Sequence, residues 1–214
     1  EVLYSRLTVA VLAVLACSRA GAAVTYLGVA TLDGLDKSGL SGKLEDGVRS
    51  PAVIGGFSAI AWTGRGNSYL VLPDRGPNAE AYAGGESVDN TQSFINRVQA
   101  IDIEVTGDAS HGWSVAGRLT ATTLLSSEVP LTGATTGNPE RRYFTGLSSG
   151  IDPNVPTRSM RLDSEGIRVA SDRKSFFLSD EYGPFVYEFA VGTGQRLRRS
   201  VLPSECVRQK AAET

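Results

Sequence analysis

The chain has 214 residues, 41% hydrophobic and 21% charged, with a formal net charge of −2. That profile fits an ordinary folded protein of one domain or a little more and excludes wholesale disorder. The mildly acidic balance gives no bulk attraction to nucleic acid or an anionic membrane, so neither is expected as a partner, and a single histidine, His111, with two cysteines, Cys17 and Cys206, leaves no zinc ligand set.

The first element is a nearly unbroken apolar run, Leu7 to Ala16, preceded by Arg6 and followed by Ala20-Gly21-Ala22-Ala23. It is too short to span a bilayer and ends in a small-residue cleavage pattern, which predicts a signal peptide over residues 1–23, cut after Ala22 or Ala23. Lipid modification of Cys17, which small residues flank, is the alternative. Cleavage removes Glu1, Arg6 and Arg19, so the formal charge moves from −2 to −3. Cys206 is then the only cysteine left, and export brings no internal disulfide. The expected location is secreted or periplasmic, with no stable membrane span after cleavage.

Strands are predicted at Val24 to Val29 and Phe57 to Trp62, with a Gly- and Ser-rich loop from Gly34 to Ser50 between them. Gly64-Arg65-Gly66-Asn67 supplies a hairpin turn into the next strand, Tyr69 to Pro73. A polar stretch to Gln92 follows, then a longer strand from Phe94 to Val105 with a break near Gln99 or Ala100, then Val115 to Leu125. Ser126 to Arg161, rich in Gly, Pro, Thr and Ser, reads as a long loop with a short strand at Arg142 to Phe144. Four more strands are predicted at Ile167 to Ala170, Ser175 to Ser179, Phe185 to Ala190 and Leu197 to Leu202, and no segment past the leader shows helical periodicity.

These strands form two copies of one scheme, each with an aspartate turn closed by Gly-Pro: Asp74-Arg75-Gly76-Pro77, and Asp180-Glu181-Tyr182-Gly183-Pro184. Four strands per copy is the number in a propeller blade. Two blades leave apolar faces uncovered, so the expectation is an all-β, β-propeller-like domain over residues 24–214, the N-terminal part of a longer propeller that is incomplete at its C-terminus.

The chemistry-bearing candidates gather at these turns. Asp180 and Glu181 stand where a strand gives way to a turn; one carboxylate can reach a central channel, or Asp180 can simply close an Asx-turn while Glu181 stays solvated. Asp163 and Glu165 are two apart, so in an extended segment they share a face and could share a hard divalent cation such as calcium. Asp74 beside Arg75 could orient a phosphate or form a surface ion pair. Arg141-Arg142 and Arg196, Arg198 and Arg199 are the other basic clusters. Gly146-Leu147-Ser148-Ser149-Gly150 matches the nucleophile elbow of serine hydrolases, yet no helical pattern follows it and His111 precedes it, against the chain order of that fold.

Leu162-Asp163-Ser164-Glu165-Gly166-Ile167, then Leu178-Ser179-Asp180-Glu181-Tyr182-Gly183-Pro184, then Leu202-Pro203, resembles the phytase-like domain family, described as having esterase-like activity of phytase. Gly55-Gly56-Phe57-Ser58-Ala59-Ile60 followed by Asp74-Arg75-Gly76-Pro77 is similar to the N-terminal signature of that family. Ser164 departs from the proline of a D-P-E-G pattern. The resemblance, running from about Val24 to Pro203, implies an exported propeller-like protein linked to phosphomonoester hydrolysis. The expected site has Asp180, Glu181 and Arg75 in catalysis on a small anionic phosphoester, and Asp74, Asp163, Glu165 and Asp180 around calcium. A non-catalytic propeller that binds a ligand or protein is the alternative, and a serine esterase built on Ser148 is a third.

Overall fold

The computed structural model describes residues 25–78, 82–83, 86–87, 89–133 and 140–203. The predicted signal peptide, Cys17 and Cys206 lie outside these residues. The described residues are nearly all β, in two antiparallel four-stranded sheets and one short hairpin. The first sheet holds β1 (Phe57–Trp62), β2 (Ser68–Pro73), β5 (Arg97–Asp108) and β6 (Gly112–Leu124), in that order. Between β2 and β5, β3 (Tyr82–Ala83) pairs with β4 (Glu86–Ser87). Two-residue strands carry no periodic signal, and the sequence gives no hint of this pair. The second sheet is a meander of β7 (Ser164–Val169), β8 (Ser175–Asp180), β9 (Phe185–Ala190) and β10 (Arg196–Val201). No helix among the described residues is long and apolar enough to cross a membrane.

Local chemistry sets the turns. Gly64 and Gly66 take positive φ between β1 and β2, where a side chain would be strained. Asp108 caps the β5–β6 tip by accepting the amides of Ser110 at 2.7 Å and His111 at 2.9 Å. The predicted break near Ala100 is a β-bulge between Ala100 and Ile101, which lets a long strand bend around the core at its base.

The two sheets enclose one apolar core. Leu70, Leu72 and Val98 meet Ile167, Phe176, Leu178, Tyr187 and Phe189, and β1 lies beside β7 at the seam. The segment 126–161, expected as a long loop, is built into this core where it is described: Leu131, Phe144 and Met160 have no solvent exposure, nor do Leu125 and Leu162 at its two ends. Its described residues form no regular strand: isolated bridges, among them those of Tyr143 and Thr145, stand in place of the predicted strand at Arg142 to Phe144, with two single-turn 3₁₀ segments, Ser148–Gly150 and Pro156–Arg158. Its apolar residues are spaced without a period, so the pattern of the sequence conceals their burial. The opposite face of the first sheet is uncovered at Ile60, Trp62, Val105 and Trp113.

The strand predicted at the N-terminus does not form: residues 25–29 are in no sheet. The segment packs side-on over β6, with Ala30 and Leu32 against Gly117. It is held by a buried ion pair between Arg97 and Asp36, whose side chains are both fully shielded. Arg97 also donates to the carbonyls of Ile95 at 2.8 Å and Pro51 at 2.9 Å and lies 3.9 Å over the Phe94 ring, so the charge is answered on every side.

Strand register fixes the relation between the copies. Phe57 faces Pro73 and a bulge follows before Ala59 faces Leu72; Ser164 faces Asp180 and a bulge follows before Gly166 faces Ser179. Asp74 N donates to Gly56 O at 3.1 Å, as Glu181 N donates to Asp163 O at 2.9 Å. The structural counterpart of Asp74 is therefore Glu181, not Asp180, and that of Arg75 is Tyr182.

Phe144 packs on Tyr187 and Phe189, with both ring centroids at 5.6 Å. Phe144→Ala is expected to cost about 3–5 kcal/mol, while the exposed Val129→Ala stays within about 0.5 kcal/mol; urea unfolding followed by tryptophan fluorescence measures both.

Candidate functional site

The seam between β1 and β7 opens at one end onto the points where β2 and β8 run out and β7 begins. Carboxylate oxygens of Asp74, Asp163 and Glu165 all lie within 4.8 Å of one another there. Asp74 follows the last residue of β2, and Asp163 precedes β7 with no solvent exposure. Glu165 is the extra residue of the β7 bulge, a device that redirects a side chain. Asp163 and Glu165 do converge as their spacing predicts, with a bulge in place of plain alternation. Ser164, at the position of the expected proline, donates its hydroxyl to Pro73 O at 2.8 Å and ties the two sheets together beside the cluster.

Arg75 Nη1 donates to Asp163 Oδ2 at 2.9 Å and lies 3.4 Å from Asp74 Oδ1. Asp163 Oδ1 is buried and has no hydrogen-bond partner. Asp180 stands beside this cluster but outside the converging trio. Its Oδ1 accepts the amides of Asp163 at 3.0 Å and Tyr182 at 3.2 Å, the Asx-turn role foreseen as its alternative. Glu181 is exposed at the rim. A cleft of about 580 Å³ opens next to Asp74, walled by Phe57, Ser58, Gly76 and Pro77, with Arg49 at its edge.

A second group adjoins the first. Arg161 donates to Asp89 Oδ1 at 2.6 Å and lies 3.5 Å over the Tyr182 ring, which Arg75 approaches at 6.0 Å from its centroid. Ser148 Oγ donates to the same Asp89 oxygen at 2.9 Å and meets Thr91 Oγ1 at 2.8 Å. No motif in the sequence announces Arg161 or Asp89, because their roles come from where the core segment carries them. His111 pairs with Asp108 at the exposed β5–β6 tip, and Ser148 begins a single 3₁₀ turn rather than a helix, so neither the imidazole nor the elbow of a serine hydrolase accompanies Ser148 among the described residues. The loop glycine has a steric cause: a Cβ at Gly146 would lie 1.8 Å from Arg75 O.

Burial pushes the Asp163 carboxyl up to about 7, and Asp74 adds to the shift while Arg75 opposes it. Asp180 is pushed up to about 6 by burial, against the amides of Asp163 and Tyr182. Glu165 is raised by burial and by the charges of Asp74 and Glu181. Burial works against the charge of Arg75, but Asp163, Tyr182 and Asp74 hold it above its ordinary value. The site thus keeps its guanidinium charged while protonating its deepest carboxyl near neutrality.

The amino-acid sequence matches the phytase-like family, described as "Esterase-like activity of phytase", over residues 52–213. The chain belongs to this family. It is 30% identical over 156 residues to an "Uncharacterized secreted protein" of Arthroderma benhamiae, an alignment covering 64% of this chain and 27% of that protein. The chain thus matches little more than a quarter of that relative's length. No solved structure matches it.

A carboxyl raised in the folded state binds a proton that the unfolded chain, with its carboxyls near 4, has already lost. The stabilising contribution is full below about pH 4 and is lost as pH rises through the folded values, about 6 for Asp180 and about 7 for Asp163. In chelator, Tm is expected to fall between pH 5 and pH 7.5, and less steeply in Asp163→Asn. Equal slopes in calorimetric scans of the two proteins would contradict this assignment.

Proposed function

We propose that the chain is part of an exported, propeller-type phosphoester hydrolase that holds calcium at Asp74, Asp163 and Glu165. The observation carrying this reading is the buried, unpartnered Oδ1 of Asp163 among three converging carboxylates. Hard oxygen donors in this number suit a hard divalent cation, and one guanidinium leaves a trio of carboxylates underbalanced when all are ionised. Family membership and the secreted relative support the substrate class and the export.

A bound cation would neutralise phosphate oxygens and lower the pKa of a water molecule. Arg75, held charged by Asp163 and Asp74, would offer its remaining N–H groups to a phosphate at the acidic cluster. Glu165, exposed beside Asp74 and Asp163, would complete the set of oxygen donors around the cation. Asp180 is a positioning residue: by accepting the Asp163 and Tyr182 amides it fixes the backbone from which Asp163 projects. Glu181 adds negative charge at the rim. One observation favours the non-catalytic reading, namely that Arg75 already answers Asp163 and Asp74, as a self-contained structural ion pair would.

Calcium is expected to raise Tm at pH 7.5 and to stabilise by about 2.7 kcal/mol at a hundredfold excess over Kd, and Asp163→Asn or Asp74→Asn removes the gain. Phosphate release from p-nitrophenyl phosphate and phytate by the full-length protein, abolished by chelation and by Arg75→Met, supports the hydrolase. Calcium stabilisation without turnover selects the binding module, and no calcium response at all overturns the cation site.

A further inference from the structure

At the other end of the same seam the chemistry reverses. β1 and β7 are six residues each, so their far ends lie about 20 Å from the acidic cluster. There the β1–β2 turn meets the β7–β8 turn around a cleft of about 480 Å³, within the usual size of small-ligand sites. Arg65, Arg173 and Lys174 line it, above an apolar floor that includes Leu70, Val169 and Val191, and no carboxylate lines it. None of the three cations takes part in an ion pair among the described residues. Asp172, the nearest acid in sequence, uses its Oδ1 to accept the Lys174 amide at 3.0 Å. Three uncompensated positive charges around one cleft are conspicuous in a chain whose net charge is negative.

The cleft is also shaped around one of these cations. Arg173 has φ 61°, in the left-handed region that costs residues with a Cβ energy and that glycine or asparagine would fill more easily. Across the seam, a Cβ on Gly64 would lie 2.5 Å from Arg173 Nε, so the first sheet's turn is hollowed to admit the guanidinium of the second. A strained backbone that presents a charged side chain to a cavity points from structure to a binding role.

We infer that this cleft binds a small organic phosphate, its dianionic head between Arg65, Arg173 and Lys174 and its apolar body on Leu70, Val169 and Val191. A phosphate dianion answers three cations better than a monovalent carboxylate does, and guanidinium forks match its oxygens. The apolar floor distinguishes an organic ester from the free ion. The site is independent of the acidic cluster and does not depend on the proposed hydrolysis.

Calorimetric titration of the full chain with phenyl phosphate and with inorganic phosphate, at fixed ionic strength and in chelator, tests it. The chelator silences cation-dependent binding at the acidic cluster, so the two sites fail separately. Phenyl phosphate binds, and more tightly than inorganic phosphate. Arg173→Gly relieves the backbone strain, so its Tm is unchanged or higher, while affinity for phenyl phosphate falls about tenfold. Arg65→Gln with Lys174→Gln, both exposed, weakens binding at least as much. Equal affinity for the two ligands, no binding of phenyl phosphate, or undiminished binding by these variants would overturn the site.

Discussion

The carboxyl of Asp163 sits where the two sheets meet, with no solvent exposure, and each sheet holds a different part of the residue. The first sheet supplies Arg75 as the ion partner of its side chain, and the second supplies the turn whose Asp180 accepts its backbone amide. Ser164, the next residue, bonds to Pro73 and closes the seam at the backbone level. Removing the guanidinium alone would strip the buried carboxyl of its ion partner and, since Arg75 opposes the rise to about 7, drive it further toward the protonated form. The contact that locks the two repeats together is therefore the contact that concentrates carboxylates, and site and fold share one energetic origin.

Much of the architecture was legible in the amino-acid sequence because its strands are regular. Phe57–Trp62 and Phe185–Ala190 form with the expected limits, and the break near Ala100 appears as a bulge. Alternating or compact apolar runs bounded by Gly, Asn and Asp turns carry that information locally. The burial of the segment 126–161 was not legible, since Leu131, Phe144 and Met160 are buried by tertiary context and no local period marks them. The N-terminal strand failed for the complementary reason: residues 25–29 have the composition of a strand, but the segment lies across the side chains of β6, with Gly28 against Val115, and is in no sheet.

The candidate site was half visible. Asp74, Arg75, Asp163 and Glu165 come together as their motifs suggest, because they stand at strand ends that the fold superposes. Matching the copies by their aspartates misplaces Asp180, whereas matching them by Gly76-Pro77 and Gly183-Pro184 gives the observed register, with Glu181 opposite Asp74. Arg161 and Asp89 lay beyond reach, since an ion pair joining residues 72 positions apart leaves no local mark.

Gly146 shows how packing can counterfeit a functional signature. With no room for even a methyl group beside the Arg75 carbonyl, purifying selection on backbone proximity would maintain the first letter of a hydrolase-like pentapeptide regardless of any nucleophile. A pattern scan would then report an esterase motif in descendants of this chain whose true origin is a steric ceiling.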